Sequence, residues 1–374
     1  IRKRGALLVK RVVITGMAQI SPLGANVTKA LSKLHKLKNC ILYLPELEGF
    51  TRLNTKLAAP ATDFETPAHF NRKVLRTMGR VGIFSVASAE EALKDADLLY
   101  DEIIINGETG VSYGSSSGSL ESIIDFYSMM VDKEVRTVTS GSYVKMMPQT
   151  TAVNISLYFK TTGRLIPTST ACTSGSMGIG YAYEAIKNGY ATVMIAGGAD
   201  ELHPTQIAIF DTLYATSQKN STPELTPSPF DQNRDGLVIG EGAGTLILEE
   251  YEHAKKRGAK IYAEVLGFGT STDGTHITSP NQEKMKSALE LALKCANISS
   301  DDIGYVNAHG TATIQGDMSE TNATYDVFKR NVPISSIKSY TGHTLGACGA
   351  IDAILTLLMA KEKWFCPTLN LNNI

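Results

Sequence analysis

Cys172, His309 and His343 are the residues whose types and neighbours could do chemistry. Cys172 stands in GRLIPTSTACTSGSMGIGYAYEAI, where an apolar run gives way to a polar turn and then to a helix-patterned segment rich in small residues. A thiol at the start of a helix meets unpaired backbone N–H groups and the positive end of the helix dipole, and both favour the nucleophilic thiolate. Gly175 and Gly178 would let other backbone approach that helix closely. Taken alone, a cysteine between alanine and threonine reads as a buried core thiol, so the turn and its partners must decide. His309 lies in NAHGTAT, where a strand breaks into a glycine-containing loop, and His343 lies in SYTGHTLGACG, just before another helix. Each alone reads as a structural histidine; their shared placement at strand ends favours one site. The chemistry of such a set is covalent, with a cysteine nucleophile and imidazoles beside it. Neither histidine belongs to an HExxH motif, and no Cys/His zinc spacing occurs, so no metal is expected.

Two glycine-rich stretches suggest nucleotide binding and fail the test. GLVIGEGAG (236–244) leads into the strand-like TLILEE, whereas a dinucleotide fingerprint needs strand, glycines and then helix. No phosphate-binding GxxxxGKS or GxxxxGKT occurs. GFGTSTDGTHITSP (267–280) is a polar loop that lines a site or makes a surface turn.

The elements that position these residues alternate between β-rich apolar runs and helical patterns, as in RVVITGMAQISPLG (11–24), SVASAEEALKDADL (85–98) and ATVMIAGGAD (191–200). An internal resemblance organises them. SAEEALKDADLLYDEI before TGVSYGSSSG is echoed by SALELALKCANISSDDI before GYVNAHGTAT, and ACTSGSMGIGYAYEAIKNG is echoed by GHTLGACGAIDAILTLLMA. The reading is two homologous α/β halves, 10–255 with the cysteine and 256–374 with the histidines. The first half carries an insertion near 119–150. Two facing copies bring corresponding loops to one place.

Composition narrows the function further. The 374 residues are 43% hydrophobic and 20% charged, with 36 basic against 37 acidic side chains and a net charge of −1, which removes the basic footprint of a nucleic-acid binder. No apolar run approaches the ~18 residues of a membrane helix, and the apolar stretch in IRKRGALLVKR is too short for a secretory signal. Five scattered cysteines without a CxxC pair fit a reducing, cytoplasmic setting.

TACTSG, SPFDQNRDGLVIGEGAG, GFGTSTDGTHITSP, NAHGTAT and SIKSYTGHTLGACGAIDAI, in this order, resemble the β-ketoacyl-acyl-carrier-protein synthases, the condensing enzymes of the thiolase-like superfamily. The resemblance runs from about residue 11 to 374 and implies a duplicated five-layer α-β-α-β-α fold. It implies that Cys172 takes an acyl chain from a carrier thioester, that His309 and His343 complete a Cys-His-His site, and that Lys338 is the family's lysine near the second histidine. By the same resemblance Thr311 and Thr313 contact the carrier's pantetheine arm, Ser117 controls pocket depth at the dimer interface, and Phe210, His276 and Thr278 join the substrate site. Arg72, Lys73 and Arg76, in the stretch NRKVLRTMGR that also holds Arg80, then face an acidic carrier. No metal or redox cofactor is implied; the phosphopantetheine arrives on the carrier.

The expected reaction is decarboxylative condensation with malonyl carrier, lengthening a fatty acyl chain by two carbons. The alternative is the ketosynthase of a type II polyketide or aryl-polyene system. The former implies a homodimer and the latter a heterodimer with a chain-length factor. Chain-length factors themselves lack the nucleophilic cysteine, and thiolases use a different second-half cysteine motif; Cys348 in GACGAID reads as a packed small residue. Departures from the family are Asp352 where glutamate is usual, HGTAT-IQGD in place of HGTST-P-GD, a leader before Lys10, and a family tail with a GFGG-type loop expected past PTLNLNN.

Overall fold

Apolar residues on both sides of each strand call for a sheet covered on both faces. In the computed structural model, which describes residues 9–275 and 279–374, that sheet contains β1 (Val12–Ile20), β2 (Thr109–Gly114), β3 (Leu165–Thr168), β4 (Val193–Asp200), β5 (Gly242–Glu250) and β6 (Ala263–Val265). Their spatial order is β3-β2-β4-β5-β1-β6. β2 runs parallel to β3 and β4, and β5 runs antiparallel to β4 and β1. In β4, Val193 and Ile195 enter one core while Met194 and Ala196 enter the other. β1 changes sides partway: its register with β5 shifts between Ile14 and Gly16. The extra residue puts Val12, Ile14 and Met17 in one core and Ala18 and Ile20 in the opposite one.

The helices that bear on the site are α1 (Arg80–Asp95), α2 (Ile123–Asp132), α3 (Ser140–Met146), α4 (Thr150–Phe159), α5 (Ser174–Lys187), α6 (Gln282–Ala296), α7 (Ile314–Phe328) and α8 (Cys348–Lys361). α1 and α4 cover one face of the main sheet through Phe84, Leu93, Ala152 and Ile155. α5 and α8 cover the other through Tyr183, Ile186, Ala350 and Ile354. The small residues of α5 are needed for this approach. A Cβ on Gly178 would lie 2.5 Å from the Gly197 carbonyl, and one on Gly175 would lie 2.7 Å from the Gly346 carbonyl.

α8 also touches β7 (Val306–Asn307), which pairs in parallel with β8 (Ile334–Ser335), and α6 packs on α7. The succession β1-α1-β2-α4-β3-α5 is therefore repeated as β6-α6-β7-α7-β8-α8, with the parallel pairs β2/β3 and β7/β8 in matching places. This is the thiolase-like α-β-α-β-α architecture expected from the sequence, with α5 and α8 as its shared middle layer. α2 and α3 lie between β2 and α4, where the second copy has no helix. Ser142 Oγ donates to Asp125 at 2.7 Å and ties the two together.

Candidate active site

The strand-turn-helix around Cys172 closes on itself. Ala171 takes φ +50°, Ser174 Oγ donates to the Ala171 carbonyl at 2.7 Å, and the Thr170 N–H donates to Ser174 Oγ at 3.0 Å. Cys172 is thereby held half-buried, two residues before α5 begins. Its Sγ lies 2.9 Å from His343 Nε2. The rings of His343 and His309 meet edge to face with centroids 5.1 Å apart, and one ligating atom from each of the three residues lies within 4.8 Å of the others.

His343 is 1% exposed and is seated by the first half of the chain. Its N–H donates to the Val238 carbonyl at 2.7 Å, and its carbonyl accepts the Gly240 N–H at 2.9 Å. The glycine-rich GLVIGEGAG thus serves as a close-packed backbone bed: a Cβ on Gly240 would lie 2.6 Å from the Thr341 carbonyl. His343 Nδ1 accepts the Leu345 N–H at 3.2 Å. Burial and the charge of Lys338 keep the imidazole neutral, well below its usual pKa. With Nδ1 occupied as an acceptor, the proton of that neutral ring sits on Nε2 and points at the sulfur side of the site. A metal on this Cys-His-His set would need that proton moved and the Leu345 bond given up, so the arrangement fits hydrogen-bond donation better than metal ligation.

His309 reaches the surface, and its pKa too is lowered, by desolvation and by Lys338. Its loop is clamped by Glu320 of α7, whose carboxylate accepts the N–H of His309 at 2.6 Å and of Gly310 at 2.7 Å. Asp317, one turn earlier, accepts the N–H of Phe230 at 2.8 Å and of Ala312 at 3.1 Å. Arg234 donates to the carbonyls of Thr313 and Ile314 at 3.2 and 2.9 Å. SPFDQNRDG therefore holds HGTAT in place, with Thr311 Oγ1 and Thr313 Oγ1 3.0 Å apart. Lys338 Nζ, 1% exposed, donates to Asp352 Oδ2 at 2.9 Å, so the shorter acid still reaches it. Cys348 is packed as expected, 3% exposed, with Sγ 3.4 Å from the Cys172 carbonyl.

At Cys172 the favourable helix start is opposed by burial. Burial pushes the thiol up to about 11, and the opposing pull of Lys338 does not offset it.

The remaining residues fall around this centre. Ser117 Oγ accepts from Gln206 at 2.9 Å. Phe210, on the same helix as Gln206 (Pro204–Thr212), packs against a cluster that includes Leu345. Asp200 links the Ser117 loop to the His343 loop, accepting Ser115 Oγ at 2.8 Å, the Ser116 N–H at 3.0 Å and the Gly346 N–H at 2.6 Å. Arg72, Lys73 and Arg76 line an open hollow of about 730 Å³ together with Lys145 of α3. Arg80 does not share that face; it makes a bidentate pair with Glu241 at 2.7 and 2.8 Å and lies over Phe84. NRKVLRTMGR is consequently not one amphipathic helix: a short helix covers Arg72–Leu75, and Arg80 opens α1. His276 and Thr278 lie outside the described residues.

Sequence models of the Beta-ketoacyl synthase N-terminal and C-terminal domains match residues 9–254 and 262–372. The chain belongs to the β-ketoacyl synthase family. A curated relative, the 3-oxoacyl-(acyl-carrier-protein) synthase 2 of Vibrio harveyi, is 38% identical over 371 residues, covering 97% of this chain and 89% of that one. A crystal structure of a β-ketoacyl synthase from Burkholderia phymatum STM815 superposes with a TM-score of 0.96 at 52% identity, covering 98% of this chain and 90% of that one. A type II polyketide synthase acyl-carrier protein in complex with its ketosynthase matches with a TM-score of 0.85 at 29% identity, covering 97% and 89%. As a β-ketoacyl synthase the chain is an acyltransferase, and its Cys-His-His cluster is the group of reactive side chains that acyl transfer requires.

Glu320, Asp317, Asp200 and Arg234 were not singled out by sequence reasoning. Asp317 and Glu320 had one available signal: two acids three residues apart at the start of a helix share the face that looks back at the preceding loop.

Proposed function

We propose that this synthase lengthens an acyl chain by two carbons in three steps. First, Cys172 attacks the carbonyl of an acyl-carrier thioester; the sulfur–acyl bond forms, the carrier thiol leaves, and the cysteine proton ends on that thiol, so no net base is consumed. Second, malonyl carrier enters with its pantetheine arm along Thr311 and Thr313. The N–H groups of His343 and His309 donate to its thioester oxygen while the C–C bond to the carboxylate breaks, releasing CO₂ and leaving an enolate. Third, the enolate carbon attacks the acyl-Cys172 carbonyl, whose oxygen is held by the Cys172 backbone N–H; the C–S bond breaks, and the thiolate takes a proton from water. Catalysis draws on donors and a nucleophile already in the chain, with no metal or redox group.

The observation that carries this reading is His343, whose Nδ1 is occupied and whose Nε2 lies 2.9 Å from the nucleophile. The test measures acyl-enzyme by mass spectrometry beside labelled CO₂ release. Loss of one donor costs roughly 3 kcal/mol, so His343→Ala and His309→Ala are expected to keep acylation and to lose decarboxylation about a hundredfold. Cys172→Gln is expected to do the reverse. A His343→Ala variant that decarboxylates normally and cannot be acylated would make His343 the base for Cys172 instead.

The donor is an acyl carrier protein, which the matched complex of a ketosynthase with its carrier supports; the basic hollow of Arg72, Lys73, Arg76 and Lys145 suits an acidic partner. Free thiols suit a reducing, cytoplasmic setting. Ile123, Ile124, Tyr127 and Met130 of α2 are 41–68% exposed, and Leu165 on edge strand β3 is 43% exposed. They support a homodimer, with Ser117 close to its seam. Light scattering should give a dimer that Tyr127→Glu with Ile124→Glu turns into monomer; a monomeric parent would point to a different partner chain.

A further inference from the structure

Away from the active site, α5 and α6 bring a thiol, an ammonium and a phenol together. Cys295, in the last turn of α6, is half-buried. Its Sγ lies 3.7 Å from Lys187 Nζ and 3.8 Å from Tyr183 Oη. Lys187 is the last residue of α5, Tyr183 stands one turn earlier, and the ammonium donates to Tyr183 Oη at 2.8 Å. Tyr183 in turn donates to the Leu266 carbonyl at 2.8 Å. Its single hydrogen is thus engaged, and the phenol oxygen serves as the acceptor that keeps the ammonium beside the sulfur. Among the described residues no carboxylate pairs with Lys187.

We propose that Cys295, Lys187 and Tyr183 form a second nucleophilic thiol site, which reacts with soft electrophiles and with disulfides. With a haloacetamide, the sulfur forms the S–C bond and halide leaves with the bonding pair. With glutathione disulfide, the sulfur bonds to one glutathione sulfur, and the other leaves as a thiolate that takes up the proton Cys295 released.

Burial raises the other four thiols. Burial opposes ionisation at Cys295 as well, yet the Phe268 N–H, Tyr183 and Lys187 together hold it below the usual thiol range. Cys172 is pushed up to about 11, Cys366 likewise to about 11, and Cys40 and Cys348 are also raised, all by burial. A thiolate fraction maintained by a neighbouring cation on a reachable sulfur is the condition for selective modification.

The experiment treats native protein with substoichiometric iodoacetamide near neutral pH and, in parallel, with glutathione disulfide. Adducts at each cysteine are followed by peptide mass spectrometry, with urea-denatured protein giving the intrinsic rates. Cys295 should react faster with both reagents in the native protein than in the denatured one. Lys187→Met should slow its labelling about tenfold, the effect of losing one nearby charge. Tyr183→Phe, which keeps the ring packing, should slow it too and serves if the lysine variant does not fold. Native labelling of Cys295 no faster than in the denatured protein, or an unchanged Cys295 rate in these variants, overturns the proposal.

Discussion

Lys338 holds a full positive charge inside the protein, and that charge is felt at Cys172, His309 and His343 alike, lowering the pKa of each. It adds to burial, the larger cause, in keeping both imidazoles neutral, which makes it an electrostatic residue. Its partner Asp352 sets the design of a test. Lys338→Met leaves a buried carboxylate unpaired, so it should cost about 3–5 kcal/mol of stability. Adding Asp352→Leu should restore most of that stability in a denaturant titration, because an apolar pair replaces the ionic one. Decarboxylation should stay depressed in the double variant, since the field on the histidines is still gone. Full recovery of CO₂ release would reduce Lys338 to a structural role.

At the scale of elements, the loops are aimed by acids on the helices that follow them, and the basic hollow is shared by the short helix Arg72–Leu75 and α3. Reversing Arg72 and Arg76 to glutamate should raise KM for acyl carrier well above any change for acyl-CoA, and should flatten the salt dependence. Equal effects on both donors would remove the hollow from docking. Much of this was legible in the sequence: Cys172, His309 and His343 stand out as reactive types among small residues, Lys338 follows from the family resemblance, and the repeated helix-strand-loop pattern gives the two halves. What was not legible depends on partners far along the chain. Glu320 and Asp317 look like solvated helix acids until HGTAT folds onto them. Arg80 looks like its basic neighbours until Glu241 claims it. The thiolate argument at Cys172 used a local dipole, while the burial that opposes it is a property of the assembled molecule.

The whole molecule is joined at one seam, where Asp200 of the first half accepts from Ser115 and Ser116 of its own half and from Gly346 of the second. Burial pushes this carboxyl up to about 6 from its ordinary 3.8. The folded state therefore keeps the proton longer than the unfolded chain does, and the stability this confers is full below the unfolded value and lost as pH rises through about 6. The amount is about 3 kcal/mol at most. Unfolding free energies of the parent and Asp200→Asn, measured at about pH 5 and about pH 7.5, should differ more in the parent's favour at the lower pH. A constant difference would mean that the carboxyl titrates as if exposed. The two backbone hydrogen bonds that seat His343 on Val238 and Gly240 have a further consequence, one of timing during biosynthesis. The nucleophile leaves the ribosome 171 residues before its imidazole partner, so a nascent first half carries a thiol with nothing to act beside it. Catalytic competence appears when the halves meet.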